Sequence, residues 1–289
     1  MPDFKDYFGF KGGTSLSKAY HLINRFSEDI DLIINPILIG IPTAEFDELR
    51  SNNQQNKFKE KLKLKNDIWV KEELIPTLTK IVNNIGVVDM HFQQDSLDTQ
   101  TVLVNYPHMN DDNAILPMIR IETGTLSTLK PTEEKEISAY ISHSDTVIKS
   151  LEIESFTVPT IAPAMTFWEK ATILHAVSFK KAVPPRYSRH YYDLYQLANN
   201  ASIKQDAFHK NKLLNDVVSF KDKFYHDNRA HYELAKTQTI KLYPDQEVIN
   251  ILQDDYEDMA SMMFTTPPTF DIIMQYMAVL ENDIHNIVL

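Results

Sequence analysis

Two prolines, Pro159 and Pro163, separate halves of different periodicity, and this change of period limits the folds open to the chain more than any other feature. Ahead of them, short apolar runs at 86–92, 101–106 and 115–126 read as strands; Ile119 and Ile121 alternate with Arg120 and Glu122. An acidic stretch around 131–136 reads as turn. From Ala164 onward the spacing is helical, with breaks at Pro184-Pro185, near Asn199-Asn200 and at Pro267-Pro268. The expectation is an α+β chain. An αβ domain with a mixed sheet occupies 1–158, and a helical domain occupies 159–289.

The first third alternates elements. Phe8 to Lys11 is a short strand, Gly12-Gly13 a turn, and Thr14 a cap for a helix over 15–24 whose apolar face carries Leu16, Ala19, Tyr20 and Ile23. A second strand covers 30–34 and stops at Asn35-Pro36. Residues 44–84 begin polar and gain periodicity at Trp69, Leu74, Ile75, Leu78 and Ile81, which predicts a loop and one or two helices. Five lysines, Lys57, Lys59, Lys61, Lys63 and Lys65, are two apart and so spread around such a helix instead of forming one stripe.

Composition removes several chemistries. With no cysteine there is no disulfide, thiolate zinc site or cysteine nucleophile, and the ten histidines never take the His-Glu-x-x-His spacing. No charged segment followed by an apolar run opens the chain, and the best apolar stretch, 32–41, is broken by Asn35 and Pro36. A cytoplasmic protein with no membrane partner is expected. The net charge of −11 argues against coating nucleic acid through a global field. It leaves room for local contacts, and Lys180, Lys181, Arg186 and Arg189 form a second basic cluster.

The chemically informative stretch is KGGTSLSKAYHLINRFSEDIDL, residues 11–32. Gly12 and Gly13 at a strand end let backbone approach a phosphate, and the helix behind them offers unpaired amides; a tight turn is the plain alternative. P-loop spacing is absent. Asp29 and Asp31 are two apart on a strand, so both carboxylates point to one side while Ile30 points to the other. Like charges so placed repel without a cation between them. Two divalent ions about 3.5–4 Å apart would activate a hydroxyl and clamp a triphosphate. A charged edge strand is the competing reading.

Gly12-Gly13-Thr14-Ser15-Leu16-Ser17-Lys18 followed by Arg25-Phe26-Ser27-Glu28-Asp29-Ile30-Asp31-Leu32 resembles the AbiEii/AbiGii-type toxin family of nucleotidyltransferases, within the DNA polymerase β-like superfamily. Phe167-Trp168-Glu169-Lys170-Ala171-Thr172 and Ser188-Arg189-His190-Tyr191-Tyr192-Asp193-Leu194 resemble that family's later lysine and aspartate motifs. The resemblance implies a polymerase β-like αβ domain followed by helices, with Mg²⁺ or Mn²⁺ and a nucleoside triphosphate (ATP, GTP or CTP) as ligands. It implies that Gly12, Gly13, Thr14, Ser15 and Lys18 seat the triphosphate and that Asp29 and Asp31 hold metal. Lys170 would contact phosphate from the helical domain, and Asp193 would complete the site. Without the family, Lys170 reads as a solvated lysine. Asp193 reads as a surface partner of Arg189 four residues earlier, worth about 0.3–0.5 kcal/mol.

A third metal-facing carboxylate is usual in that superfamily. Glu122 is the choice here, because it ends a strand before Gly124, and Asp89 is its rival. Relatives usually carry a helical segment ahead of the first strand, whereas eleven residues precede Gly12; beyond about Ala198 no family motif can be placed. The resemblance further implies the toxin of a toxin–antitoxin or phage-defence pair, with a separate antitoxin and with the 3′ end of transfer RNA as an acceptor. A protein or small-molecule hydroxyl as acceptor, which the acidic balance favours, and a non-catalytic scaffold binding nucleotide or antitoxin are the alternatives.

Overall fold

The computed structural model describes residues 7–27, 29–107, 118–126, 130–139 and 155–287. The chain is α+β: a seven-stranded mixed sheet and ten α-helices among the described residues. It divides into two compact units, one of residues 1–15 and 28–160, the other of residues 16–27 and 161–289.

The first unit is built on the sheet, in the order β3-β4-β5-β2-β1-β7-β6. Its strands are β1 (Phe8–Lys11), β2 (Asp29–Ile34), β3 (His91–Gln94), β4 (Thr101–Asn105), β5 (Met118–Gly124), β6 (Thr132–Ile137) and β7 (Phe156–Ile161). β1 and β2 are antiparallel with Lys11 opposite Asp31, while β2 and β5 run parallel with Asp31 opposite Glu122. This sets β2 centrally, and Phe10, Ile33, Ile34, Val102 and Val104 are buried along the middle of the sheet. Helix α1 (Gly12–Lys18) follows β1 directly, and α2 (Ala44–Asp47) is one turn. α3 (Asn52–Trp69) starts on a capping box in which Ser51 and Gln54 satisfy each other's backbone amides. Its buried positions Gln55, Phe58, Leu62, Asn66 and Trp69 recur every three or four residues, which leaves Lys57, Lys61 and Lys63 to solvent. A π-helical turn (Val70–Leu74) leads into α4 (Ile75–Asn84).

The second unit is helical: α5 (Pro163–Val177), α6 (Ser188–Asn199), α7 (Ala201–His209), α8 (Lys212–Phe224), α9 (Gln246–Asp258) and α10 (Phe270–His285). Pro163 opens α5, where its missing amide hydrogen costs nothing. α5 is the buried axis, packing on α6, α7 and α8. Trp168 is fully enclosed and its indole donates to the Ala207 carbonyl at 3.1 Å; truncating such a ring costs about 3–5 kcal/mol. No helix among the described residues is long and apolar enough to cross a membrane.

Several local expectations fail for identifiable reasons. The helix expected over 15–24 begins earlier, at Gly12, and ends at Lys18, and His21 then adopts φ 53. Residues 16–27, read with the first domain, group with the second unit: Phe26 N donates to Met262 O (2.7 Å) and Phe264 N to Asn24 O (3.0 Å). The strand expected over 86–92 starts only at His91, because Asp89 takes φ 62. The acidic turn at 131–136 is instead β6, a sheet-edge strand whose glutamates face water. Residues 115–117 of the third expected strand lie outside the described residues.

Candidate active site

In the first unit the site grows from the β1–α1 junction. Gly12 has φ 77, a conformation side chains rarely take, and a Cβ there would lie 1.7 Å from Oδ2 of Asp31. The Asp31 carboxylate therefore rests directly on glycine backbone. Thr14 donates its hydroxyl to the Asp29 carbonyl in a short hydrogen bond, fixing α1 to β2. Ser15, 1% exposed, donates to the Gly12 carbonyl at 2.9 Å and stiffens the same turn. Gly13 is buried there too, whereas Lys18, at the end of α1, belongs to the second unit and burial lowers its pKa.

Sheet register adds the rest. Asp29 lies opposite Arg120 and Asp31 opposite Glu122 on neighbouring strands. Three carboxylates thus share a face, and the Glu122 carboxyl is raised by burial and then by the negative charge of Asp29 and Asp31. Arg120 sits among them, 3.0 Å from Asp95, 3.4 Å from Asp29 and 3.5 Å from Glu122. Asp95 is itself held by the Leu97 amide at 2.9 Å. Asp89, the rival to Glu122, is exposed and precedes the edge strand β3.

In charge and in oxygen chemistry Asp29, Asp31 and Glu122 fit a hard divalent cation. They do not form a closed cage, since no group of three or more His, Cys, Asp or Glu among the described residues is drawn together to that degree. Mutual repulsion spreads such carboxylates, and Arg120 draws Asp29 and Glu122 toward itself.

The second unit contains a separate charged cluster. Asp193 on α6 is fully buried and receives Arg25 through both oxygens, Nε at 2.8 Å and Nη2 at 2.9 Å, and Lys170 Nζ at 2.8 Å. Burial alone would raise its pKa; Arg25 and Lys170 outweigh that and hold it well below the carboxylate range. Lys170 on α5 is buried, not solvated, and its ammonium also lies 3.0 Å from His190 Nδ1. Burial lowers the His190 pKa well below 6.5, and the charges of Lys170 and Arg189 lower it further. A neutral ring offers Nδ1 as an acceptor, so Lys170 donates to it. Asp193 thus pairs with Arg25 and Lys170, where the sequence had suggested Arg189.

The basic segment of the second unit is already partly engaged. Lys180 pairs with Asp227 at 3.4 Å, and the Arg186 amide donates to Asp255. Lys180, Lys181, Pro184 and Arg229 line a cavity of about 460 Å³ together with Phe179.

Sequence reasoning did not find Arg25, Asp95, Arg120 or His190. Arg120 had a signal, sharing a strand face with Glu122 two positions on. Arg25 opens one of the motifs quoted above, but no spacing rule links it to a partner 168 residues away.

A family model described as "Nucleotidyl transferase AbiEii toxin, Type IV TA system" matches residues 1–276 of this chain. The match extends well past Ala198, beyond the last of the motifs quoted above. No curated protein and no solved structure matches the chain.

Proposed function

Because the chain belongs to the AbiEii family of nucleotidyltransferase toxins, we propose that it transfers a nucleoside monophosphate from a nucleoside triphosphate to an acceptor hydroxyl, as the toxin of a type IV toxin–antitoxin pair. The observation that carries this reading is the placement of Asp29, Asp31 and Glu122 on one face of the sheet, beside a glycine turn. In this reading the three carboxylates hold Mg²⁺ or Mn²⁺. Held there, such an ion would supply the positive charge that favours ionisation of the attacking hydroxyl and departure of pyrophosphate.

The chain's own residues position the reactants. Gly12 and Gly13 let the triphosphate approach the backbone, and Thr14 fixes the turn through Asp29. Ser15 and Lys18 belong to the same seat, although the Ser15 hydroxyl must release the Gly12 carbonyl before it can donate to a phosphate. Lys170 serves as the phosphate-contacting cation. Asp193, enclosed by two cations, is suited to positioning Lys170 and not to touching a substrate.

The acceptor in this reading is the 3′ end of transfer RNA in the cytoplasm, the context is phage defence, and the antitoxin is a separate protein. The net charge of −11 favours a second reading, in which a protein or small-molecule hydroxyl takes the nucleotide. Incubation with each α-labelled nucleoside triphosphate, Mg²⁺ and total RNA, total protein or a small-molecule extract decides between them. Label in RNA supports the first reading, and label in protein or in a small molecule the second. Absence of label from every pool, with all four nucleotides, ends the transferase assignment.

A further inference from the structure

Arg120 lies among the carboxylates just described, and its three contacts differ in kind. The Asp95 contact is shortest, at 3.0 Å, and Asp95 is anchored by the Leu97 amide with its side chain only 11% exposed. The contacts to Asp29 and Glu122, at 3.4 and 3.5 Å, are stretched. Arg120 lies opposite Asp29 in the ladder, so its guanidinium reaches Asp29 from the next strand and Glu122 along its own. A guanidinium has five donors in a fixed fork and can keep one carboxylate while releasing others.

We infer that Arg120 is a built-in counter-ion which competes with a divalent cation for Asp29 and Glu122, and that Asp95 is the berth that retains its guanidinium when the cation binds. This rests on the reading of Asp29, Asp31 and Glu122 as metal ligands. Three like charges on one sheet face would otherwise repel, and Arg120 relieves that repulsion when no ion is bound. The same positive charge opposes the incoming ion. Asp95 sets the balance: while it holds the guanidinium, Asp29 and Glu122 can turn to a metal without leaving Arg120 unpaired.

The test is Mn²⁺ binding by titration calorimetry on the full chain, with circular dichroism to verify the fold of each variant. Arg120→Gln is expected to bind Mn²⁺ about tenfold or more tightly than wild type, since a charge opposing a divalent ion has gone. Its melting temperature without metal falls, and the rise on adding Mn²⁺ is larger than for wild type. Arg120→Lys keeps the charge and stays close to wild-type affinity, which also covers the event that Arg120→Gln does not fold. Asp95→Asn has the opposite sign: guanidinium freed from its berth settles on Asp29 and Glu122, and Mn²⁺ binds several-fold more weakly. Arg120→Gln binding no tighter than wild type, or Asp95→Asn binding tighter, overturns the inference while leaving the ligands in place. Failure of the ligand reading looks different: Asp31→Asn then leaves Mn²⁺ binding unchanged, or no variant binds Mn²⁺ at all, and the inference falls with it.

Discussion

The carboxylate of Asp31 occupies the space that a β-carbon on Gly12 would need, 1.7 Å from where that atom would stand. Gly12 is thus constrained twice, by its left-handed backbone and by a group with a proposed chemical role. Gly86 shares the left-handed backbone, but nothing lies within 4 Å of its would-be Cβ. Comparing the two separates backbone strain from displacement of Asp31. Gly86→Ala should cost about 1–2 kcal/mol in urea unfolding and leave transfer activity intact. Gly12→Ala should cost about 3 kcal/mol or more and abolish activity; equal behaviour of the two variants would refute the coupling.

Asp31→Asn and Asp29→Asn should each remove nearly all nucleotide transfer while leaving circular dichroism unchanged, because both side chains are partly exposed and neither packs in the core. Retention of more than about a tenth of the wild-type turnover would show that these carboxylates do not hold the metal.

Asp193→Ala leaves Arg25 and Lys170 buried without their counter-charge, and should cost about 3–5 kcal/mol. The acid response follows from the direction of the shift. A carboxylate held below its unfolded value of 3.8 contributes stability that is fully present above that pH and is lost only as the pH falls toward its depressed folded value. Wild type should therefore lose this contribution below about pH 4, and Asp193→Asn should lack that part of the acid transition. Lys170→Ala should lower turnover on the order of 10²-fold; a normal rate with only a lowered melting temperature would make the cluster purely structural.

His190 and His175 are both buried with pKa values below 6.5. His175 accepts from the Lys241 amide through Nδ1 and donates through Nε2 to the His231 carbonyl, each at 3.0 Å, which requires a neutral ring. For a base depressed on folding, the unfolded chain binds the extra proton first. Stability is therefore complete above pH 6.5 and declines as pH falls toward the folded value, by at most about 1.4 kcal/mol per pH unit for each histidine. Urea unfolding between pH 5 and about 6.5 should show that slope, and His190→Gln should remove the share of one proton. An unchanged slope would mean that His190 is not held neutral.

The proposed RNA acceptor predicts that reversing Lys180, Lys181 and Arg186 to glutamate sharply reduces labelling of RNA and flattens its dependence on salt. Because Lys180 already pairs with Asp227, Lys181→Glu alone should account for much of the loss. Labelling that is indifferent to all three changes at several salt concentrations would exclude this loop as a track for RNA.

The general architecture was legible because it depends on period. Strand alternation before Pro159 and helical spacing after Pro163 are local properties, and the glycine pair and the Asp-x-Asp spacing are legible on one short stretch. What escaped was set by partners distant in sequence. β6 reads as turn because Glu133, Glu134 and Glu136 suggest solvent, yet an edge strand keeps most of its side chains in water. Lys170 reads as a surface residue until Asp193 and His190 are seen beside it. Arg120 could be placed on the face of Glu122, but its contact with Asp95 comes from a loop whose path no spacing rule gives.

Residues 16–27 leave the sheet unit and return to it, and they carry Arg25 into the helical unit. This excursion governs the order in which a newborn chain can finish itself. Arg25 emerges from the ribosome 168 residues before Asp193, a wait of roughly 8–34 s at about 5–20 residues per second. Neither unit is one uninterrupted stretch, so a nascent chain cannot close the first before beginning the second. A prematurely terminated product would keep every carboxylate of the proposed metal site and still lack the anchor for the segment joining α1 to β2. The charged cluster on Asp193 can close only after most of the chain has been made.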